Sequence, residues 1–144
     1  MKRRLSTSAW FAAALGAAIL QPAAIGSASA HDAANVTQIF AQQLANVPGN
    51  SMTALVVEYA PGGKSDSHHH TGSVFAYVLT GEIRSQISDG APAKVYKAGE
   101  FFYEPPGSSH LVSENASATE PASLLAVFVA ADDATLTAAG EAKK

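Results

Sequence analysis

The residues with the most chemical potential stand together at His68-His69-His70, with a further imidazole at His110. In an extended strand, residues two apart share a face with Cα atoms ~6.5 Å apart. His68 and His70 can therefore converge on one metal ion through bonds of ~2.0–2.1 Å. His69 points the other way, toward solvent or behind its neighbours. His110 follows the stiff turn Pro105-Pro106-Gly107 and can bring a third neutral donor from a separate strand. Glu104 stands just before that turn and is a candidate metal ligand or catalytic base. Alternation pairs it with Phe102 on one face and sets Phe101 and Tyr103 on the other, without saying which face is inside. A His triplet can equally be a solvated loop that collects metal adventitiously. His31 would offer an amino group plus imidazole for copper if the chain were cut before it.

Donors from separate segments need stiff elements to hold them, and the chain from about Ser51 supplies short β segments cut by turn residues. Thr53–Tyr59 is β-branched and apolar and stops at Pro61-Gly62-Gly63. Val74–Leu79 ends at Thr80-Gly81, and Glu82–Ser88 alternates cleanly before Asp89-Gly90-Ala91-Pro92. Val95-Tyr96, Phe101–Tyr103 and His110–Val112 follow, and Ser123–Val129 is the most apolar. Strands at this spacing with Gly/Pro turns predict an all-β sandwich or barrel. Val36–Val47 fits either a short helix or an edge strand. The stretch after Asp132-Asp133 is expected to be a frayed helix or disordered. Tyr59, Tyr77, Phe75 and Phe128 read as core or subunit-contact aromatics. Ala76 and Val78 share the parity of Val74, so an inward Val74 would make that wall apolar.

With these residues in place, the chain resembles the cupin superfamily. Gly62, His68, His70 and Gly81 fall at the spacing of its first motif, and Gly99, Pro105, Gly107 and His110 at that of its second. The resemblance spans about residues 52–130. Val57–Gly63 and Phe101–Gly107 are similar to small, single-domain exported bacterial cupins. It implies a small antiparallel, jelly-roll-like β-barrel, often dimeric, that encloses one divalent metal ion held by His68, His70 and His110. The chain departs from the pattern at Val74, where many cupins carry a glutamate ligand, and at Glu114, where the second motif has Asn. Glu104 is the candidate to replace the lost carboxylate.

Three neutral imidazoles leave the charge of a divalent ion uncompensated, which favours a small anionic molecule at the ion. Fe, Mn, Zn, Ni and Cu all remain open. Within the superfamily, three-His iron sites resemble those of cysteine-type and diketone-cleaving dioxygenases, so dioxygenase-like chemistry is one expectation. The alternative is a non-catalytic module that binds a small ligand or metal, and a metal-free relative with remnant histidines is a third reading. Fold and ligand count do not choose among these. No nucleophile elbow, phosphate-cradling loop or nucleotide fingerprint is present.

Composition narrows the partners. The 144 residues carry nine Lys+Arg and twelve Asp+Glu, but Lys2, Arg3 and Arg4 stand in the first thirty residues, which hold no acid. Residues 31–144 therefore have a formal charge of 6 − 12 = −6. An acidic surface argues against nucleic acid and against anionic membrane. The leading basic residues, the apolar run Ala9–Leu20 and Ala28-Ser29-Ala30 form the pattern of a signal peptide cleaved before His31. Sec export is favoured over twin-arginine export, because Ser6 stands where a large apolar residue follows the arginine pair. The expected location is the periplasm or the medium. The resulting division is a signal peptide at 1–30, an N-terminal segment at 31–50, a barrel at 51–130 and a tail at 131–144. With no cysteine, stability must come from burial and hydrogen-bonded closure.

Overall fold

The computed structural model of the protein describes residues 34–140. The signal peptide expected at residues 1–30 and the His31 amino terminus lie outside them. Eleven strands form among the described residues: β1 (Ala34–Gln43), β2 (Asn50–Tyr59), β3 (Lys64–Ser65), β4 (His68–His70), β5 (Ser73–Thr80), β6 (Glu82–Ile87), β7 (Lys94–Lys97), β8 (Phe101–Glu104), β9 (Ser109–Asn115), β10 (Ala122–Ala131) and β11 (Thr137–Ala139). One sheet has the order β1-β2-β10-β5-β8; the other runs β11-β4-β9-β6-β7, with β3 paired to β9. Every pairing is antiparallel. The fold is all-β, as the strand pattern predicts. No described helix is long and apolar enough to cross a membrane.

The core lies between the sheets and follows from parity. On β5, Val74, Ala76 and Val78 are buried while Phe75, Tyr77 and Leu79 are exposed. On β10, Leu124, Ala126 and Phe128 turn inward, and Ile83 of β6 closes the cluster from the second sheet. Burying side chains of the size of Val78 and Ile83 contributes about 1.5–3 kcal/mol each. The chain changes sheets between β5 and β6 at Gly81 (φ 68°), where an added Cβ would meet the Pro121 carbonyl oxygen at 2.6 Å.

Two segments differ from expectation. Of the two options for residues 31–50, the structure takes the edge strand over Ala34–Gln43, paired along β2. The tail expected at 131–144 is neither frayed helix nor disorder over Thr137–Ala139, which pairs with His68–His70 as β11. The β-branched Thr137 and the unpaired edge of β4 favour a strand there over the helix that an Ala-rich stretch suggests.

The outer face of the first sheet is apolar across its width. Tyr103, Phe75, Val127, Ala54 and Phe40 form one cross-strand row through β8, β5, β10, β2 and β1. Phe101, Tyr77, Leu125 and Val56 form the next. Phe101 is 61% exposed and Tyr103 52%.

Candidate metal centre

The three histidines arrive from paired strands. His68 of β4 lies directly opposite His110 of β9, and His70 shares the face of His68 by the two-residue period. One ring nitrogen from each comes within 4.8 Å of the others. His70 and His110 are buried and His68 is partly so.

The opposite ring nitrogens are already engaged. His68 Nδ1 lies 2.7 Å from the Asp66 carbonyl oxygen, and His70 Nδ1 lies 3.0 Å from that of Leu136. A carbonyl only accepts, so both rings carry their proton on Nδ1 and present the Nε2 lone pair to the cavity. His110 is reversed. Its Nε2 lies 2.9 Å from Ser85 Oγ, which leaves Nδ1 facing inward. Such outer contacts fix tautomer and ring orientation. Burial pushes the His68 and His70 imidazoles below their usual value, against a raising influence from the nearby carbonyls and Glu104. Near neutral pH both are therefore free of a second proton.

Glu104 stands beside the three-imidazole group. Phe102 and Glu104 are the inward pair on β8, while Phe101 and Tyr103 face out. Glu104 is 2% exposed; Oε1 is 3.3 Å from His110 Nδ1 and Oε2 is 3.7 Å from His70 Nε2. Two donors at the corners of a tetrahedron with ~2.0–2.1 Å bonds are ~3.3–3.4 Å apart, so the Glu104–His110 spacing is that of ligands sharing an ion. Among the described residues Oε2 has no hydrogen-bond partner despite its burial. An unpartnered buried carboxylate oxygen is costly, and a cation beside it removes the cost. Three imidazoles plus one carboxylate, with an orphaned oxygen among them, fit a divalent ion. The picture of an uncompensated three-His charge therefore changes, because a carboxylate stands at the site.

His69 does not join the group. It faces away, with Nδ1 3.1 Å from the Gly140 carbonyl oxygen, and ties β4 to the end of β11. The residues that sequence reasoning missed are those behind the rings: Ser85, Leu136 and Thr137, whose Oγ1 is 3.2 Å from His70 Nδ1. Ser85 carried a signal, being a polar residue at an inward position of β6 two places after Ile83.

The site opens into a cavity of about 330 Å³. Its walls are mostly apolar, with Val57, Val74, Ala76, Leu124, Ala126 and Phe128 among them, and among the described residues no Lys or Arg lines it. Beside the metal group, on the same lining, stands a cluster of hydroxyls. Tyr59 Oη is 2.8 Å from Ser113 Oγ and 3.0 Å from Ser65 Oγ. Burial raises the Tyr59 phenol above its usual value, keeping it protonated.

The cupin domain family matches residues 55–128, which is half of the chain, and the protein belongs to that family. Among solved structures, a conserved double-stranded β-helix protein of Klebsiella pneumoniae is 24% identical, with 78% of this chain and 86% of that one covered and a TM-score of 0.58. The DMSP lyase DddQ of Ruegeria pomeroyi is 20% identical over 65% of this chain and 45% of its own, with a TM-score of 0.54. An oxalate decarboxylase of Bacillus subtilis is 19% identical over 76% of this chain and 28% of its own, with a TM-score of 0.59. The chain thus spans less than half the length of those two enzymes. At these identities the likeness is one of fold. No curated protein matches.

Proposed function

We propose that the protein is an exported metal-binding cupin in which His68, His70 and His110 hold one divalent ion and Glu104 supplies the fourth, charged ligand. The observation that carries this is the buried Glu104 carboxylate set against His110 and His70 with one oxygen unpartnered. When bound, such an ion supplies Lewis acidity and, if redox-active, dioxygenase-like chemistry. The chain's own part is to hold imidazoles in one tautomer, neutralise one positive charge through Glu104 and exclude water with apolar walls. One carboxylate against a divalent ion leaves a single positive charge, and among the described residues no Lys or Arg lines the cavity. The reading is therefore a small, singly anionic molecule. Export rests on Lys2-Arg3-Arg4, the apolar run to Leu20 and Ala28-Ser29-Ala30.

A non-catalytic binding module is the second reading, favoured because Glu104 is the only carboxylate among the buried described residues. Elemental analysis of protein isolated from its own periplasm tests the first claim. One ion per chain, lost in His110→Ala, is expected; metal-free protein overturns it. Oxygen uptake by the Fe(II)-loaded protein across a broad panel of small acids separates the two readings. A uniform absence of uptake leaves binding.

We also propose a homodimer through the outer face of the first sheet. Five strands ~4.8 Å apart and the two residue pairs along each that these rows occupy give ~330 Å² per copy, or ~650 Å² in all, the size of a weak, transient contact. The two aromatic rows carry no charge, and a self-complementary apolar face suits a second copy.

A further inference from the structure

The hydroxyl cluster on the cavity wall has a countable property. Ser65, Tyr59 and Ser113 form a linear chain of two hydrogen bonds, and among the described residues no further side-chain partner is found for the two serines. Three hydroxyls hold three protons, and two bonds use two of them. Whichever way the chain runs, one O–H is left to donate. Ser67 Oγ, on the same lining, is buried and has no partner among the described residues. The wall therefore presents unused donors to a cavity whose other pole is the metal group.

A bulge in β9 brings the two poles onto one face. Ser85 pairs with Ser113 and Gln86 with Val112, but Ile87 pairs with His110, so Leu111 is the extra residue. Without it, His110 and Ser113, three apart, would point to opposite faces. With it, both are buried and both line the cavity. The two positions are matched on β6 by residues two apart, a spacing of ~7 Å. On the other side the chain repeats the arrangement, with Ser65 opposite Ser113 and His68 opposite His110.

We propose that the Ser65–Tyr59–Ser113 chain, with Ser67, is a second binding point that reads a neutral oxygen acceptor on the ligand. This rests on the reading of the first pole as a metal centre. The ligand class is a monoanion whose carboxylate or similar group meets the ion. An apolar spacer of about four to five bonds then leads to a carbonyl, ether or hydroxyl oxygen at the hydroxyl wall. A second carboxylate is disfavoured, because among the described residues Asp66 and Glu104 are the acidic groups on the lining and no Lys or Arg stands there to meet it.

Calorimetric titration of Zn-loaded protein with hexanoate, 5-oxohexanoate and pentanedioate tests this, zinc being redox-inert. The oxo acid is expected to bind about 3–10-fold more tightly than hexanoate, the yield of one net hydrogen bond, and pentanedioate more weakly than either. Removing the chain as a unit, in Y59F/S65A/S113A, leaves no buried partner unsatisfied. It should reduce the oxo preference while zinc stays at one per chain, and S67A should reduce it separately. Equal binding of hexanoate and 5-oxohexanoate, or an unchanged preference in the triple variant, overturns the second binding point with the metal centre intact. Binding of neither acid to protein holding one zinc does the same. Failure of the wild-type protein to hold stoichiometric zinc overturns the metal centre first and this inference with it.

Discussion

Val74 and Glu104 are directly opposed residues on β5 and β8. The position at which many cupins carry a ligand glutamate thus faces, across one ladder, a glutamate on the neighbouring strand. Both side chains are inward and almost fully buried. Opposed residues have Cβ atoms ~4.5–5.5 Å apart, a distance that a carboxylate on either strand can reach across. The carboxylate missing at Val74 has a counterpart one strand away.

That relationship predicts a transposition. Glu104→Gln should weaken divalent-metal binding by about tenfold or more while the barrel still folds, since the amide keeps shape and loses charge. The double substitution V74E/E104V returns the carboxylate to β5 and should restore most of the affinity. Metal titration of chelator-treated protein checks both. Unchanged affinity in E104Q would remove Glu104 from the ligand set.

Ser85 is expected to act through His110 alone. Its Oγ lies 2.9 Å from His110 Nε2 and holds the ring so that Nδ1 faces Glu104. Ser85→Ala should cost about 10–100-fold in metal affinity, and Ser85→Thr should recover part of it. Zinc competition against a chromogenic chelator reads the difference. Loss of the fold in circular dichroism, with no separate effect on affinity, would show a packing role instead.

The pH dependence follows from burial of His68 and His70. Both folded values lie below the unfolded imidazole value of ~6.5. Between these, the unfolded chain binds protons that the folded chain refuses. Stability is therefore complete above about pH 6.5 and is lost as pH falls through the lowered folded values. Chelator-treated protein should melt at a lower temperature at pH 5.5 than at 7.5. Zinc-loaded protein should show a steeper fall, because protons then compete with the ion as well. A flat or reversed profile for the metal-free protein would contradict the neutral assignment.

Much of this was legible in the sequence for physical reasons. Strand positions followed from alternation on β5 and β6 and from turn residues that stop the ladder, and the His68/His70 pair followed from the two-residue period. The inward face of β8 was not legible. A four-residue strand with aromatics at both parities, Phe101-Phe102-Tyr103-Glu104, carries no sign of which side meets the core. β11 was hidden as well, because its pairing partner, the short β4, lies about seventy residues away, and local composition favoured helix. The bulge at Leu111 depends on β6, so no reading of β9 by itself reveals that His110 and Ser113 share a face.

The aromatic outer face predicts the oligomeric state. Phe101 is exposed at the edge of the row formed with Tyr77, Leu125 and Val56, and its ring centroid is 5.5 Å from that of Phe75. It touches neither the cavity nor the buried core, so Phe101→Glu should leave folding and metal binding intact. Placed opposite its own copy, the new carboxylate would be desolvated in an uncharged surface, a cost of several kcal/mol that a ~650 Å² interface cannot absorb. Sedimentation at about 100 µM should show a dimer for the natural chain and a monomer for F101E. A monomeric natural chain, or an undisturbed dimer in the variant, would move the contact elsewhere or abolish it.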